Sequence, residues 1–530
     1  MSRLIRSILS ILLGLILFGF VLTKGGLINR VPLLIGLVAI GLVGFLTYGY
    51  QVYGLTGQFG TLAAVYGFSG LVLVGVILRI NTGGFSDPGR GAKLLLIGLL
   101  LLFFIAVAPR QRRYIKRTGI FLCGYLLVWF VYFRYGSNLS VVGSPANAAY
   151  FMAATFMFAL FLFVIPRYVS RNAFLWCVSL LSTVLVILGL QAYSNPFTFF
   201  GLTVQNTEFI FTPMFSSESV HALTSVFGNP NSMGIVGFAG TIAGALLAGE
   251  YFPRSRSESS ESESLATDGG TEATSTLPTW LGVILSFLAG VLFVINGFGT
   301  FLTNSRASFL AVGVSLALYV AYLLFGRRVL PFAVVSLLGA VLASVIVFPM
   351  IGITLSGRLA LWEAGLKAFG DGNTLFGRPW YWGTSQGVSA MIEPYLSSHA
   401  GKSIHNSYLE ILLETGVVGL IGYLILVVGP LFRGVFQRAT VDVPSLVLAF
   451  GFGANQLFES YTLFHNNILS ALAALSVGYI IMNGAWMDTA EAPTESRSRS
   501  RSKSRRDRSS PRLGSSSDSS DSWSRPEWGE

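Results

Sequence analysis

Apolar runs of about 20 residues recur along this chain and constrain its fold more than any other feature. A helix of roughly 20 residues spans the hydrocarbon core of a bilayer. Candidate spans lie at 7–22, 32–48, 62–78, 94–108, 119–133, 148–165, 173–190, 233–248, 280–301, 308–325, 329–350, 411–430, 444–458 and 467–484. Only 11% of the 530 residues are charged, against roughly 25% in a soluble protein. The sequence predicts an all-α polytopic membrane protein with about 14 transmembrane helices, which excludes a soluble enzyme, a collagen-like fibre and a secreted disulfide scaffold.

Residues 1–484 are predicted to form a multi-span membrane domain. Two hydrophilic segments lie within this domain, and a third follows it as a tail. Residues 249–278 and 485–530 are rich in Ser, Glu and Arg and have too little apolar surface to fold, so we expect both to be disordered. The basic run RSRSRSKSRRDRSSPR in the tail admits RNA or anionic-lipid binding. A solvated tail is the favoured interpretation, and no nucleic acid is expected as a partner. Residues 351–407 contain five Trp and Tyr among polar groups and are predicted to pack as one large loop.

Basic residues in the short loops orient the chain, because Lys and Arg concentrate on the cytoplasmic side. With the N-terminus inside, the inner loops contain most of these residues, namely those of 109–118, Arg167, Arg171, Arg327, Arg328, Arg433 and Arg438. The predicted location is therefore the cytoplasmic membrane, with both termini cytoplasmic. The large loop is then extracytoplasmic, between the eleventh and twelfth spans.

One segment of this loop has helical periodicity. Apolar residues recur at Leu359, Trp362, Leu366 and Phe369, with Glu363 and Lys367 on the opposite side. This pattern predicts an amphipathic helix that lies on the outer membrane surface.

The charged residues indicate where chemistry is possible. No predicted span has an Asp or Glu near its middle, which proton- or sodium-coupled transporters usually need. The outer side instead concentrates basic groups, namely Arg306, Arg358, Arg378, Lys402 and His405. This pattern suits an anionic substrate that approaches from outside.

Two arginines are candidates for phosphate binding. Arg306 lies in the turn between the ninth and tenth spans, and Arg358 opens the amphipathic segment. A guanidinium can bind a diphosphate with two parallel hydrogen bonds. The alternatives are that Arg306 extends to lipid headgroups and that Arg358 pairs with Glu363 or a headgroup.

His405 is a candidate general base, since an imidazole can take a proton from a hydroxyl at neutral pH. It stands in HNSYLE at the end of the large loop. A purely structural role in capping the next helix is the alternative, and Asn406 or Ser407 suits that role equally well. In FGNPN, Asn231 is expected to cap the eighth span, and it is also a candidate for contacting a sugar or phosphate.

Four of these motifs together resemble the O-antigen ligase and O-antigen polymerase family. His405–Glu410, followed by Glu414-Thr415-Gly416-Val417-Val418-Gly419, resembles the family pattern HN-x-x-L…E-x-G-x-x-G. Asn304–Ala307 resembles the family's S-R-x turn, Gly357-Arg358 with Trp362 its GR-x-x-x-W stretch, and Phe227–Asn231 its FxNPN element. The motifs occur in the family's order within roughly residues 200–484.

The resemblance implies a membrane glycosyltransferase of the C type. Such an enzyme transfers a glycan from a polyprenyl phosphate or diphosphate carrier to a hydroxyl of a glycan, lipid or protein acceptor outside the membrane, with inversion at the anomeric carbon. His405 would be the catalytic base, and Arg306 and Arg358 would bind the donor phosphates. Asn231, Asn406, Trp362 and Glu414 are possible supporting residues.

No cofactor or metal is expected, because the sequence has no DxD motif and no acidic residue in its first outer loop. Its two cysteines, Cys123 and Cys177, also give no support to structural zinc or disulfides. One alternative function is a transporter or flippase for anionic lipid-linked or small anionic substrates, which would use the same arginines without chemistry. Another is a scaffold whose basic tail recruits partners.

Overall fold

The computed structural model describes part of the chain, namely residues 115–136, 158–159, 161–163, 166, 171–199, 202–211, 220–252, 279–350, 357–378, 388–396, 403–436, 442–464 and 468–482. The chain divides into two units, Met1–Gly484 and Ala485–Glu530, and every described residue lies in the first. The predicted spans between 7 and 108 and the tail from 485 lie outside the described residues, as do most of the predicted span 148–165 and residues 253–278 of the predicted Ser/Glu-rich loop.

Helices dominate the described residues. In chain order they are α1 (Ile115–Gly136), α2 (Arg171–Gln191), α3 (Pro230–Tyr251), α4 (Thr279–Thr303), α5 (Arg306–Phe325), α6 (Leu330–Met350), α7 (Arg358–Gly370), α8 (Ser389–Ile392), α9 (Ser407–Phe436), α10 (Val443–Asn455) and α11 (Ile468–Ile481). Short 3₁₀ turns, Gly326–Val329 and Glu393–Tyr395, follow α5 and α8. Several bounds agree with the predicted runs to within two or three residues, which is the usual uncertainty of helix ends.

Two small β-hairpins separate α2 from α3, and the all-α prediction did not contain them. Their strands are β1 (Phe197–Phe199), β2 (Leu202–Val204), β3 (Thr207–Phe211) and β4 (Val220–Ala222). β1 pairs with β2 and β3 with β4, both antiparallel. The amide of Leu223, just after β4, donates to the carbonyl of Leu302 near the end of α4 at 3.0 Å, which fixes the second hairpin to that helix end.

Five helical segments of the described part are long and apolar enough to cross a membrane. They are Arg171–Gln191, Pro230–Tyr251, Thr279–Thr303, Arg306–Ala343 and Ser407–Phe436. Three further apolar helices, Thr118–Tyr132, Val443–Asn455 and Ile468–Ile481, are shorter. These helices are those of a polytopic membrane protein, whereas the total of about 14 spans stays a prediction.

Small residues let α3 lie at the centre of the bundle. Gly234, Gly237, Gly240 and Gly244 recur at intervals of three or four residues, so they share one face of the helix. A Cβ built on Gly240 would lie 2.4 Å from the Cβ of Ser182 in α2 and 2.9 Å from the Cγ of Asn296 in α4. Close contact through small residues is the usual way in which helices associate inside a membrane.

Charged residues join three helices at one end of the bundle. Arg171, at the start of α2, donates hydrogen bonds to Glu250 near the end of α3 and to Asp442, the residue that caps α10. We call this the Arg171 end. Tyr319, in the last part of α5, lies against Gly249, so α3 and α5 both finish near this end.

The sequence motifs lie at the other end. α10 starts at the Arg171 end and rises about 20 Å over its 13 residues. Beyond its last turn, the carbonyl of Gln456 accepts a hydrogen bond of 2.9 Å from the amide of Ser407. α3 and α5 begin at this same end, because Gly234 in the first turns of α3 abuts Ser305 just before α5. We call this the motif end.

A break in α9 binds the segment that follows α7. Gly416 has φ 66° and ψ −166°, so the helix is interrupted there. Backbone groups freed by the break bond to residues 374–378: the amides of Val417 and Val418 donate to Thr374 and Leu375 at 2.9 and 3.2 Å. The amide of Arg378 donates to Leu413 at 2.9 Å. The break therefore fixes this segment to α9.

The predicted amphipathic helix is present as α7, but its buried face differs from the prediction. The buried residues of α7 are Leu361, Ala364, Gly365 and Ala368. All of these except the glycine belong to an apolar cluster that also contains Ile404, Leu409 and Leu413. Leu359 and Leu366 remain 45% and 56% exposed. The small side chains face α9 because they permit the closest approach, and the larger leucines are left outside.

Candidate active site

Arg358 pairs with a carboxylate that the motif analysis did not single out. Its Nη2 atom donates to Oε1 of Glu459 at 2.7 Å. The two side chains are only 11% and 6% exposed. Glu363, the partner considered from the sequence, instead pairs with Lys367 at 2.8 Å on the exposed face of α7, which lowers the pKa of Glu363.

His405 contacts the other oxygen of the same carboxylate. Its Nδ1 atom lies 3.3 Å from Oε2 of Glu459. Because an ionised carboxylate only accepts hydrogen bonds, this contact suits a ring that carries its proton on Nδ1 and presents Nε2 as the acceptor. The His405 side chain is 26% exposed, which leaves part of the ring accessible.

The backbone around His405 is fixed on both sides. His405 has φ 49°, in the left-handed region that few non-glycine residues adopt. On one side Ile404 is buried in the cluster beneath α7. On the other side the Ser407 hydroxyl donates to the carbonyl of Glu459 at 2.7 Å and accepts from the amide of Tyr461 at 2.9 Å. The surrounding packing thus holds a strained residue in place, as is frequent at functional sites.

Trp362 and Asn406 hold this arrangement together. The Trp362 Nε1 atom donates to the carbonyl of Ile404 at 3.0 Å, and its ring packs on Phe458 with centroids 6.1 Å apart. Trp362 therefore links α7 to Ile404 and Phe458, the residues that directly precede His405 and Glu459. The Asn406 side chain accepts from the amides of Tyr408 and Leu409, both at 3.0 Å, and so caps α9. Capping thus falls to Asn406 and leaves the His405 ring available.

Arg306 is the first residue of α5 and follows the capping residue Ser305. It is half-buried at the motif end, and Gly234 of α3 contacts the turn before it. The structure brings Arg358 and His405 together on Glu459, and it places Arg306 in a separate turn at the same end of the bundle.

The cap of α3 is Asn229, which corrects the expectation for Asn231. The Asn229 side chain accepts from the amide of Asn231 at 2.8 Å, whereas Asn231 lies inside the first turn. Pro230 explains the shift, because proline favours the first helical position and the cap is then the residue before it. Asn231 is half-buried, three residues before Gly234, which abuts Ser305, and its proposed contact with substrate stays a prediction.

Glu414 lies deeper in α9 and is not part of the Glu459 contacts described above. Its Oε2 atom accepts a hydrogen bond of 2.6 Å from the Tyr132 hydroxyl of α1, and both side chains are buried. About two turns away along the same two helices, Gly124 and Gly422 allow the backbones of α1 and α9 to approach closely. The hydrogen bond joins α1 to α9, and a role of Glu414 in the site stays a prediction.

Tyr461 lies two residues after Glu459 in the chain and is a neutral hydrogen-bond donor. Burial, and then the nearby Tyr423 hydroxyl, raise the pKa of Tyr461 above its ordinary value. Its hydroxyl donates to Asn455 Oδ1 at 2.9 Å. Within the described part of the chain, no three His, Cys, Asp or Glu side chains come close enough to hold a metal ion.

Glu459 is the residue that sequence reasoning missed. The predicted site rested on basic groups of the outer side and on the lack of acidic groups at the span centres, whereas Glu459 is an acidic residue in a short turn. One signal was available: it is the only Asp or Glu between Val443 and Met487. A lone carboxylate between two apolar helices needs a partner, because an unpaired charge there is costly.

Comparison with known proteins identifies the region that builds most of this site. Residues 291–424 match the O-antigen ligase family. The predicted family resemblance is confirmed. The matched region contains Arg306, Arg358 and His405, while Glu459 and Asn231 lie outside it.

A curated relative supports the same assignment. The chain is 34% identical over 109 residues to the exopolysaccharide production protein ExoQ of Rhizobium meliloti (strain 1021). That match spans 19% of this chain and 24% of the relative. The O-antigen ligase match and the apolar helices together identify an integral membrane protein. Both matches point to polysaccharide biosynthesis.

Proposed function

We propose that the protein is a membrane glycosyltransferase that transfers a glycan from a polyprenyl phosphate or diphosphate carrier to an acceptor hydroxyl. The acceptor is a glycan, a lipid or a protein, and the reaction takes place on the outer side of the cytoplasmic membrane. The O-antigen ligase match and the relative named for exopolysaccharide production support this class of substrate.

The observation that carries the proposal is the contact of Arg358 and His405 with one buried carboxylate. In the proposed reaction, Nε2 of His405 takes the proton of the acceptor hydroxyl. The acceptor oxygen forms a bond to the anomeric carbon from the side opposite the carrier, so the configuration inverts. The bond to the carrier phosphate breaks, and its oxygen keeps the electron pair.

The arginines stabilise the charge that develops on the leaving phosphate. Arg358 and Arg306 lie at the same end of the bundle, and guanidinium groups fixed in a site of low dielectric are effective at stabilising an oxyanion. A transporter of anionic lipids would also use arginines, but it would give no task to a histidine oriented by a buried carboxylate. That pairing is typical of a general base.

Mass spectrometry of cellular glycans tests the proposal. Cells that lack the protein are complemented with wild type, His405→Asn, Arg306→Gln or the control Arg328→Gln. Asparagine is chosen because it tolerates the positive φ of residue 405. Arg328 is exposed in the turn after α5, at the Arg171 end.

We expect carrier-linked glycan to accumulate with the two site variants and not with the control. Long accumulated chains would indicate a ligase, and single repeat units a polymerase. Normal glycans with both His405→Asn and Arg306→Gln would refute the transferase and favour transport.

A further inference from the structure

One carboxylate at the motif end serves two residues with different tasks. Oε1 of Glu459 holds Arg358 at 2.7 Å, and Oε2 lies 3.3 Å from Nδ1 of His405. We propose that Glu459 is a positioning residue that holds the donor-side arginine and the acceptor-side base in one fixed geometry. The inference rests on the proposed function, in which Arg358 binds the carrier phosphate and His405 takes the acceptor proton.

The contact with Glu459 leaves Arg358 able to bind phosphate. A guanidinium has five N–H donors in a planar fork, and the bond to Oε1 uses one donor on Nη2. The remaining donors can bind phosphate oxygens while Glu459 fixes the plane of the group. Glu459 thus restricts the arginine to one orientation without occupying all of its donors.

The contact on the other side sets the chemistry of His405. With Nδ1–H donated to Oε2, the lone pair of the neutral ring is on Nε2, the nitrogen that receives the acceptor proton. When that proton transfers, the ring becomes a cation next to the Glu459 carboxylate. The proton later passes to the leaving phosphate or to water, which restores the neutral ring.

Glu459 can act as a positioning residue because it is itself held firmly. The Ser407 hydroxyl donates to its carbonyl at 2.7 Å. The neighbouring Phe458 packs on Trp362 of α7, the helix that Arg358 begins. The backbone of this turn is therefore anchored both to the start of α9, next to His405, and to α7, which fixes the point from which the carboxylate extends.

Nitrogen NMR of the full-length protein in detergent tests the His405 contact directly. The chain has only four histidines, so selective ¹⁵N-histidine labelling gives few signals, and His405→Asn identifies the signal of interest. At a pH where the ring is neutral, we expect the proton on Nδ1. A proton on Nε2 would overturn the inference, because Glu459 would then accept nothing from the ring and Nε2 would not be basic.

Transfer rates test whether Glu459 acts through His405. Membranes of a strain that lacks the protein supply the carrier-linked glycan they contain, and each purified variant is added to them. Glu459→Gln is expected to lower the rate about 10- to 100-fold, the range seen when a metal-binding histidine loses its orienting partner. The control Glu363→Gln removes a carboxylate that is 69% exposed on α7 and is expected to leave the rate unchanged.

The double variant separates positioning from a general structural role. In the His405→Asn background, Glu459→Gln is expected to cause a smaller loss of rate than in the wild type, because only its effect on Arg358 remains. An equally large loss in that background would overturn the inference. Should His405→Asn alone leave transfer intact, the base proposed for the reaction is wrong while the transferase stands, and the NMR result still decides the contact.

Discussion

Replacing Gly416 by alanine is expected to destabilise the protein more than any ordinary glycine substitution in the same region. At φ 66° and ψ −166° an alanine costs about 1–3 kcal/mol in backbone strain. Its Cβ would also lie 2.4 Å from the backbone C and O atoms of Leu375. Residues 374–378 must then move away from α9. This movement weakens or breaks three hydrogen bonds to α9, each of which contributes about 0.5–1.5 kcal/mol. The expected loss of unfolding free energy is about 2.5–7.5 kcal/mol.

Gly370→Ala is the matched control, because Gly370 ends α7 and has no other atom within 4 Å of a built Cβ. This variant is expected to be neutral or slightly more stable, by up to about 1 kcal/mol. Both variants are unfolded with increasing dodecyl sulfate in mixed micelles, and tryptophan fluorescence follows the transition. Equal stability of the two variants, within about 0.5 kcal/mol, would refute the break at Gly416.

The remaining predictions concern capping, a buried carboxyl, topology and metal dependence. Asn229→Ala is expected to lose about 1 kcal/mol in the same unfolding assay, and Asn231→Ala almost nothing, since Asn229 provides the cap; the reverse order would contradict the corrected cap. Tyr132→Phe is expected to cost about 1–3 kcal/mol, because buried Glu414 loses a hydrogen-bond donor, and an unchanged midpoint would count against that contact. A cysteine at Ser397 is expected to react with an impermeant reagent in intact cells, whereas labelling only after lysis would reverse the topology. A chelator is expected to leave transfer unchanged in purified membranes, and loss of activity restored by Mg²⁺ or Mn²⁺ would refute metal independence.

The sequence predicted the helices of the described region well, because their signal is local. An apolar run such as 280–301 has few alternatives to a helix of the length of α4, Thr279–Thr303. The sequence also predicted that Arg306, Arg358 and His405 lie at one end of the bundle. Successive spans cross the membrane in opposite directions, so every second connecting turn lies on the same side.

Features that depend on packing between distant segments were not predictable in this way. Periodicity predicted the helix α7 and, from hydrophobicity, a buried face with its large apolar residues. In the structure the face with Ala364, Gly365 and Ala368 is buried instead, because small residues allow α9 to approach closely. The first glycine of the E-x-G-x-x-G motif, Gly416, contributed to the family resemblance, but the sequence alone offered no physical reason for a glycine at this position. The structure supplies that reason, since Gly416 breaks α9 where residues 374–378 bind.

Charge is arranged differently at the two ends of the bundle, and the difference supports an anionic ligand at the motif end. At the Arg171 end, one arginine is shared by two carboxylates, Glu250 and Asp442, so the cluster has an excess of negative charge. At the motif end, one carboxylate is shared by Arg358 and His405, so the group is neutral and becomes positive when the histidine takes a proton. A buried group that gains positive charge during a reaction is stabilised by an anion that gains negative charge at the same time. In the proposed reaction, the departing carrier phosphate is such an anion, because its bond to the glycan breaks as the proton reaches His405.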